Sequence, residues 1–445
     1  MSFPRYSNYR DSGVKWMGEL PSHWTVAPLK AVASFNDEVL PDTTPEDEEI
    51  EYLEISGVQA EKGIVETSIM PFGHAPSRAR RKVRQGDIVI STVRTYLRAV
   101  AVISSPPPNL VVSTGFAVIR AQRAVPKFLG YALGSEPFIA EVIARSVGVS
   151  YPAINASDLV RIPVALPSKQ EQVTIAAFLD RETGKIDALI EEQTRLIALL
   201  KEKRQAVISH AVTKGLNPHA STKDSGVEWL GKIPMHWEVC RLKQVSPEIT
   251  VGIVVEPSKY YTNEGIPALR SLNVRQDAIE LDNMAFISGE ANDQLRKSQL
   301  RAGDLVAVRT GQPGTAAVIP PELDGCNCID LIIIRKPEAG SERYLCWYLA
   351  SDVAARQFTE GSGGAIQQHF NVGTAMNLIV AWPPMSEQEE IAAYLDSFIA
   401  NIDALTAEAD AAIALLTERR SALISAAVTG KIDVRGLVPD QAEAA

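Results

Sequence analysis

Between residues 78 and 98 the chain carries Arg78, Arg80, Arg81, Lys82, Arg84, Arg94 and Arg98 against a single acid, Asp87, with Tyr96 among them. Cations at this density can neutralise several phosphates. The matching stretch of the second half holds Arg296, Lys297, Arg301 and Arg309, then Thr310 and Gln312. A further polar group, Gln367, Gln368, His369 and Asn371, follows. Asn and Gln can contact adenine bidentately, and Arg guanine. The chemistry suited to these residues is recognition rather than bond-making. They also read as a solvated surface, its charge balanced by the acidic stretch from Asp37 to Glu54, with ordinary polar loops beside it.

Catalytic signatures are missing. There is no G-x-x-x-x-G-K-[ST] phosphate loop, no dinucleotide fingerprint and no H-E-x-x-H. The Asn-Pro-Pro-aromatic tetrapeptide of adenine methyltransferases is absent too; the Pro-Pro pairs lie at 106–108, 320–321 and 383–384. Pro41-Asp42 can open a nuclease-like acidic motif, but no convincing carboxylate and lysine follow it. His23 and His236 each stand beside a tryptophan, Trp24 and Trp237, where packing accounts for them better than catalysis. Cys326-x-Cys328 lacks zinc spacing, and no His pair completes a site, so no metal is expected. The four cysteines read as reduced thiols of a cytoplasmic protein.

At 445 residues, two or three domains are expected. No apolar run of membrane-spanning length occurs, and the first residues lack the apolar core of a secretory signal. The net charge of −10 argues against nucleic acid as a sum, but its distribution matters more.

The elements that must position these residues come twice. DSGVKWMGELPSHWTVAPLK (11–30) returns as DSGVEWLGKIPMHWEVCRLK (224–243), 213 residues on. ALPSKQEQVTIAAFLD (165–180) returns as AWPPMSEQEEIAAYLD (381–396), 216 residues on. Two distant blocks at nearly one offset imply a whole-length tandem duplication. Between them lie short apolar runs that read as strands: EYLEISGV (51–58) with PALRSLNV (267–274), GDIVISTVR (86–94) with GDLVAVRTG (303–311), and GFAVIRA (115–121) with DLIIIRK (330–336). KFLGYAL (127–133) and RYLCWYL (343–349) each open a short helix. The leads and long helices resemble each other closely, whereas the middles share only scattered strand residues. Such divergence on a constant scaffold suits two modules that read different things.

Residues 168–212 and 386–428 contain no proline and only one glycine, Gly184. Ser168 with Glu171, and Ser386 with Glu389, fit capping boxes. Leu179, Ile186, Gln193, Leu200 and Val207 step by seven, as do Leu395, Ile402, Ala409, Leu416 and Leu423. That is a coiled-coil seam, and Ile186, Leu189, Leu196, Leu200, Val207, Ile402, Leu405, Leu416 and Leu423 are expected to pair the helices. A helix of about 43 residues is about 64 Å long and needs another long helix. The second copy supplies one, which predicts an antiparallel pair within the chain; pairing between chains is the alternative.

The lead W-x-G-x-x-P-x-H-W, the GDI/GDL strand and the P-x(3)-EQ-x-x-I-A-x-[FY]-L-D helix opening together resemble the specificity subunit of type I restriction–modification enzymes. I-D-A-L (186–189 and 402–405) and the helix ends at 206–215 and 422–431 add to the resemblance, which spans nearly the whole chain twice. It implies an α+β fold: two mixed target-recognition domains (1–166 and 215–382) at opposite ends of an antiparallel pair of long helices (167–214 and 383–430), with a flexible tail (431–445). It implies double-stranded DNA as target, each domain reading one half of a split site. The helices would fix the gap and dock two methyltransferase subunits, and two motor-nuclease subunits would join. This chain would carry no catalytic centre. S-adenosylmethionine, ATP and Mg²⁺ would belong to those partners. A structural coiled-coil scaffold without DNA recognition is the other reading.

Overall fold

A computed structural model of the chain describes residues 3–60, 62–360 and 370–437. It divides into two units. Unit 1 holds residues up to Gln193 together with those from Ala411 onward, and unit 2 runs from Thr194 to Asp410. Each long helix therefore begins in one unit and ends in the other.

In unit 1 the Val- and Ile-rich runs build two four-stranded sheets. One has the order Val100–Val102, Ile88–Ser91, Phe116–Ala121, Ala33–Phe35, all antiparallel. The other has the order Ser68–Pro71, Glu49–Leu53, Leu110–Ser113, Ala79–Lys82, with a parallel pair at its centre. Ile88, Ile90, Ala117 and Ile119 alternate onto one face and pack with Leu129, Leu133, Phe138 and Val142 of the helices Pro126–Gly134 and Glu136–Arg145. Val89, Val112, Phe116 and Val118 fill the other face. Burial of both faces explains why these strands read as continuous apolar runs.

Unit 2 repeats the scheme. One sheet runs Ile249–Val251, Leu331–Ile334, Leu305–Val308, Ala316–Val318, and the other Tyr261–Thr262, Ala285–Ile287, Ile266–Leu269, Asn327–Cys328. Tyr344, Leu345, Trp347 and Tyr348 of the helix Glu342–Leu349 pack beneath Leu305, Ile332 and Ile334. The mixed α+β middles, the strand runs and the short helices thus stand where the sequence predicts them.

The long helices span Lys169–Lys214 and Met385–Val428. In unit 1, Ile175, Leu179 and Ile186 near the start of the first pack with Leu423, Ile424 and Val428 near the end of the second. Arg420 donates to Asp187 at 2.8 Å alongside them. In unit 2, Ile208, Ala211 and Val212 at the end of the first share a core with Ile391, Leu395 and Ile399 at the start of the second. Within each unit the segments run antiparallel, and intrachain pairing prevails.

Three expectations change. Leu189, Leu196 and Leu405, expected in the seam, are 50%, 41% and 48% exposed; the buried heptad series is the one with Leu179, Ile186 and Leu200 on the first helix and Leu395, Ile402, Ala409 and Leu423 on the second, and these leucines lie outside it. Glu389 makes no capping box. The second helix starts at Met385, and the counterpart of Glu171 is Glu387, whose side chain is used elsewhere. Finally, residues 431–437 are not a loose tail. Val434 is buried, Ile432 and Leu437 pack on the same core, and the Asp433 amide donates to Pro4 at 2.8 Å. Residues 438–445 lie outside the described part.

Candidate nucleic-acid interface

Each unit fixes its domain to the helices through the repeated motifs. At the start of the first long helix the Glu171 amide donates to Ser168 Oγ at 3.3 Å, half of a capping box. The Glu171 carboxylate turns instead to the lead. It accepts from Tyr6 at 2.7 Å and from the Trp24 indole at 3.1 Å, and lies 3.1 Å from His23 Nε2. Glu387 takes the Trp237 indole at 3.0 Å and lies 2.7 Å from His236 Nε2. Both histidines therefore serve packing and orientation.

The next residue is a second tie. Gln172 donates to the Pro167 carbonyl and accepts from the Val125 amide, which precedes the helix Pro126–Gly134. Gln388 donates to Pro383 and accepts from the Ser341 amide, which caps Glu342–Leu349. A third tie follows two turns on. Asp180 holds Lys127 at 2.6 Å and Tyr131 at 2.9 Å. Asp396 holds Arg343 at 2.6 Å and Trp347 at 2.7 Å. In unit 2 Arg343 also grips Asp277 with both nitrogens, and burial pushes the Asp277 carboxyl up. Sequence reasoning missed these ties, although the repeated Glu-Gln doublet and the Leu-Asp pair carried their signal.

Inside each domain the Gly-Asp motif is structural. Asp87 is buried and takes both prongs of Arg120, at 2.9 and 2.7 Å, plus the Arg84 amide at 2.8 Å. Asp304 takes Arg335 at 2.6 Å and the Arg301 amide at 2.9 Å. The one acid within the basic run is thus the partner of a half-buried arginine. Hydrogen bonds and charge attraction from Asp87 and Glu38 push Arg120 up, and Arg120 in turn holds Glu38 below the usual carboxylate range.

The structure separates the basic residues into two kinds. Arg84 pairs with Glu38 at 2.5 Å, Arg98 grips Glu136 with two nitrogens, and Arg309 pairs with Asp330 at 2.5 Å. Arg80 lies over the Phe72 ring at 4.6 Å, 4.0 Å from Asp42. Arg81 is half-buried, and burial holds its guanidinium below the usual range. Arg78, Lys82, Arg94, Arg296 and Lys297 are exposed, as are Tyr96 and Gln312. Thr310 is half-buried. Asn371 caps the helix Val372–Asn377, accepting from Thr374 at 2.9 Å. Gln367, Gln368 and His369 lie outside the described residues.

Two parts of the first basic run converge. The Thr114 amide donates to Arg78 O at 2.8 Å, and Arg81 donates to Thr114 O. The next residue, Gly115, accepts both the amide and the hydroxyl of Thr92, at 2.8 Å each. The edge strand Ala79–Lys82 and the hairpin loop bearing Arg94 are therefore stitched to one turn. A Cβ on Gly115 would stand 2.6 Å from the Ile55 Cδ1 and 3.3 Å from the Val93 Cγ2, so a larger residue there requires the end of the Ile55 side chain to move. Arg94 and Arg98 are left-handed at φ +50° and +54°, a conformation residues with a side chain rarely adopt. The short turn Thr95–Leu97 between them holds Tyr96 and Leu97 outward.

In unit 2 the strand Ile249–Val251 leads past Gly252 into a cleft of about 520 Å³, lined by Val254, Val255, Tyr260, Arg296 and Lys297. The arrangement places exposed cations beside apolar and polar loop residues on a rigid sheet scaffold. That suits binding of a polyanion. Among the described residues no cluster of His, Cys, Asp and Glu is arranged to hold a metal, and no helix is long and apolar enough to cross a membrane.

Comparison with known proteins agrees with this reading. The family described as the type I restriction modification DNA specificity domain matches residues 21–199. The EcoKI specificity subunit of Escherichia coli K12 is 22% identical over 93% of this chain and 90% of its own length. The MjaVIII specificity subunit of Methanocaldococcus jannaschii is 23% identical over 66% of this chain and 68% of its own. Among solved structures, a chain from a study of complex assembly and conformational transition in the type I R-M system has a TM-score of 0.71. It is 24% identical, with 92% of this chain and 98% of that one covered. The HsdS subunit of Thermoanaerobacter tengcongensis, also 24% identical with the same coverage, has a TM-score of 0.50. These structures share the fold. With the lead, the Gly-Asp strand and the Glu-Gln helix opening all present twice and in order, the chain is similar over nearly its whole length to the specificity subunits of type I restriction–modification systems.

Proposed function

We propose that each unit's globular domain, residues 1–166 and 215–382, reads one half of a bipartite site on double-stranded DNA. The long helices set the gap between the halves and dock two modification subunits; two restriction subunits complete the assembly. The chain itself performs no catalysis. S-adenosylmethionine, ATP and Mg²⁺ act on the partners, and the setting is the cytoplasm. One observation carries this reading: the three ties from lead and domain to helix recur in both units, while the loops beside Arg94 and Arg309 differ. A constant mount with two different faces is what a split, asymmetric target requires. The exposed leucines Leu189, Leu196 and Leu405 supply the helices with apolar surface for a partner subunit.

Because Arg78, Lys82, Arg94, Arg296 and Lys297 stand exposed on a chain of net charge −10, isolated chain binds DNA weakly and the partners complete the clamp. Co-expression with the modification subunit of the same organism, followed by genome-wide mapping of modified adenines, tests the proposal. A split motif of fixed gap that appears only with this chain is the expected result. A complex that forms and adds no methylation defeats it.

A further inference from the structure

In unit 1 the hairpin loop at Thr92–Ala99 does not stand alone. The loop 146–153 is sewn to it: Val93 bridges Ala153, Ala153 bridges Val147, and the Ile154 amide donates to Thr92 O at 2.9 Å. The Thr95 hydroxyl meets that of Ser146 at 2.8 Å. Gly148, at φ +115°, makes the reversal, and its Cβ position lies 3.1 Å from Tyr151 O. The tip therefore projects Val149. Val147, Val149 and Tyr151 are 80%, 101% and 65% exposed, with Tyr96 and Leu97 exposed on the neighbouring loop. Arg94 lies over the Tyr151 ring at 5.0 Å.

Five outward apolar side chains on one small platform are unusual for a surface that faces only water. The polar groups exposed on these two loops are few: Arg94, Ser150, the two tyrosine hydroxyls and Arg98, which is paired with Glu136. The turn that anchors the Thr92 loop also anchors Arg78 and Arg81, so cationic side chains flank the platform. That combination fits a polyanion that shows an apolar group between its phosphates. On the major-groove edges of DNA the apolar group is the thymine 5-methyl. We infer that unit 1 reads its half-site chiefly through thymine methyl groups, with Val147, Val149 and Leu97 as the contacting side chains and Arg94, braced on Tyr151, as the polar reader beside them. The inference rests on the proposed role of unit 1 in DNA recognition and specifies what it reads.

The test uses the full chain in complex with its modification subunits, and duplexes bearing the mapped motif. Thymines are replaced singly by deoxyuridine, which lacks only the methyl. At thymines of one half-site, binding should weaken about four-fold per methyl removed, the scale of one buried methylene group. The double variant V147S/V149S should bind thymine and deoxyuridine duplexes alike at the thymines those valines meet and keep its response at the other half-site. Both positions are exposed, so the variant folds as the parent does. Equal binding of thymine and deoxyuridine throughout both half-sites overturns the inference while leaving bipartite recognition intact. So does a double variant that selects the same DNA but releases the modification subunits, which would make the platform a protein contact. A complex that selects no bipartite motif overturns the recognition reading itself, and the inference with it.

Discussion

Trp24 donates its indole N–H to Glu171 at 3.1 Å, across 147 positions of sequence. The same contact joins Trp237 to Glu387 at 3.0 Å. In each case a buried lead residue meets the first turn of a long helix, where a carboxylate is also favoured by the helix dipole. The contact fixes where the lead begins relative to where the helix points.

Removing that carboxylate should loosen unit 1. Glu171→Ala strands the Trp24 indole and the Tyr6 hydroxyl, both buried, and each lost partner costs about 1–3 kcal/mol. At about 2–4 °C per kcal/mol for a unit of this size, the unfolding midpoint should fall by several degrees. Glu171→Gln keeps an acceptor and should lose less. Calorimetry of the three proteins decides; equal midpoints would make the carboxylate dispensable.

The two kinds of arginine should separate cleanly. Arg120→Ala leaves Asp87 buried without its cation and should cost about 3–5 kcal/mol. Arg78→Ala and Arg94→Ala remove exposed side chains and should change stability by less than about 0.5 kcal/mol. If they meet phosphates, each lowers the salt dependence of binding by about one unit of slope. Denaturant melts and binding at several salt concentrations measure both. An unstable Arg78 variant with unchanged DNA binding would reverse the assignment.

Much of this arrangement is legible in the chain. Heptad spacing of Leu179, Ile186 and Leu200 predicts the long helix, and Val-Ile runs predict the sheets. The ties are harder to read because their partners are remote. Asp87 stands among cations, and nothing nearby reveals that Arg120, a strand away, claims it. Glu171 satisfies a local capping pattern, so the capping reading hides its contact with Trp24. The Ser386–Glu389 pair fits the same pattern two residues out of register, and only the repeated Glu-Gln doublet corrects it. Leu189 and Leu405 repeat faithfully, yet repetition does not distinguish a seam position from an outward one. Val149 and Tyr151 belong to no motif; their prominence arises from a turn at Gly148 and a bridge to Val93.

Acid should release the closing segment. Its hydrogen bond from Arg435 holds Asp433 below the usual carboxylate value of 3.8, with burial opposing. A depressed carboxylate adds stability that is present above its unfolded pKa and is lost as pH falls through the folded one. The window therefore lies below about pH 4. Hydrogen exchange should show the Asp433 amide, bonded to Pro4, protected at neutral pH and exposed in acid. Arg435→Ala should expose it at neutral pH. Protection unchanged in both conditions would assign the docking to the apolar contacts of Ile432, Val434 and Leu437.

The outward leucines should matter for assembly and not for folding. Leu189→Ser with Leu196→Ser alters half-exposed positions and should leave the melting midpoint nearly unchanged, whereas Leu179→Ala empties a buried site at a cost of about 2–5 kcal/mol. Co-purification with the modification subunit should fall for the first variant. Full recovery of the complex would place the docking surface elsewhere on the helices.

The gap between half-sites should follow helix length. Deleting residues 193–199 and 409–415 removes one heptad from each long helix and preserves the seam, because the apolar stripe returns every seven residues. Each helix shortens by about 10 Å, at 1.5 Å per residue. At about 3.4 Å per base pair, that corresponds to roughly three base pairs. The domains, their ties at Glu171, Gln172 and Asp180, and the platform at Val149 lie outside the deletion, so the half-site sequences should persist. Mapping of modified adenines reads both properties at once. A motif with the same halves and a shorter gap is expected. Altered halves with an unchanged gap would mean that the helices carry the domains without measuring the distance between them.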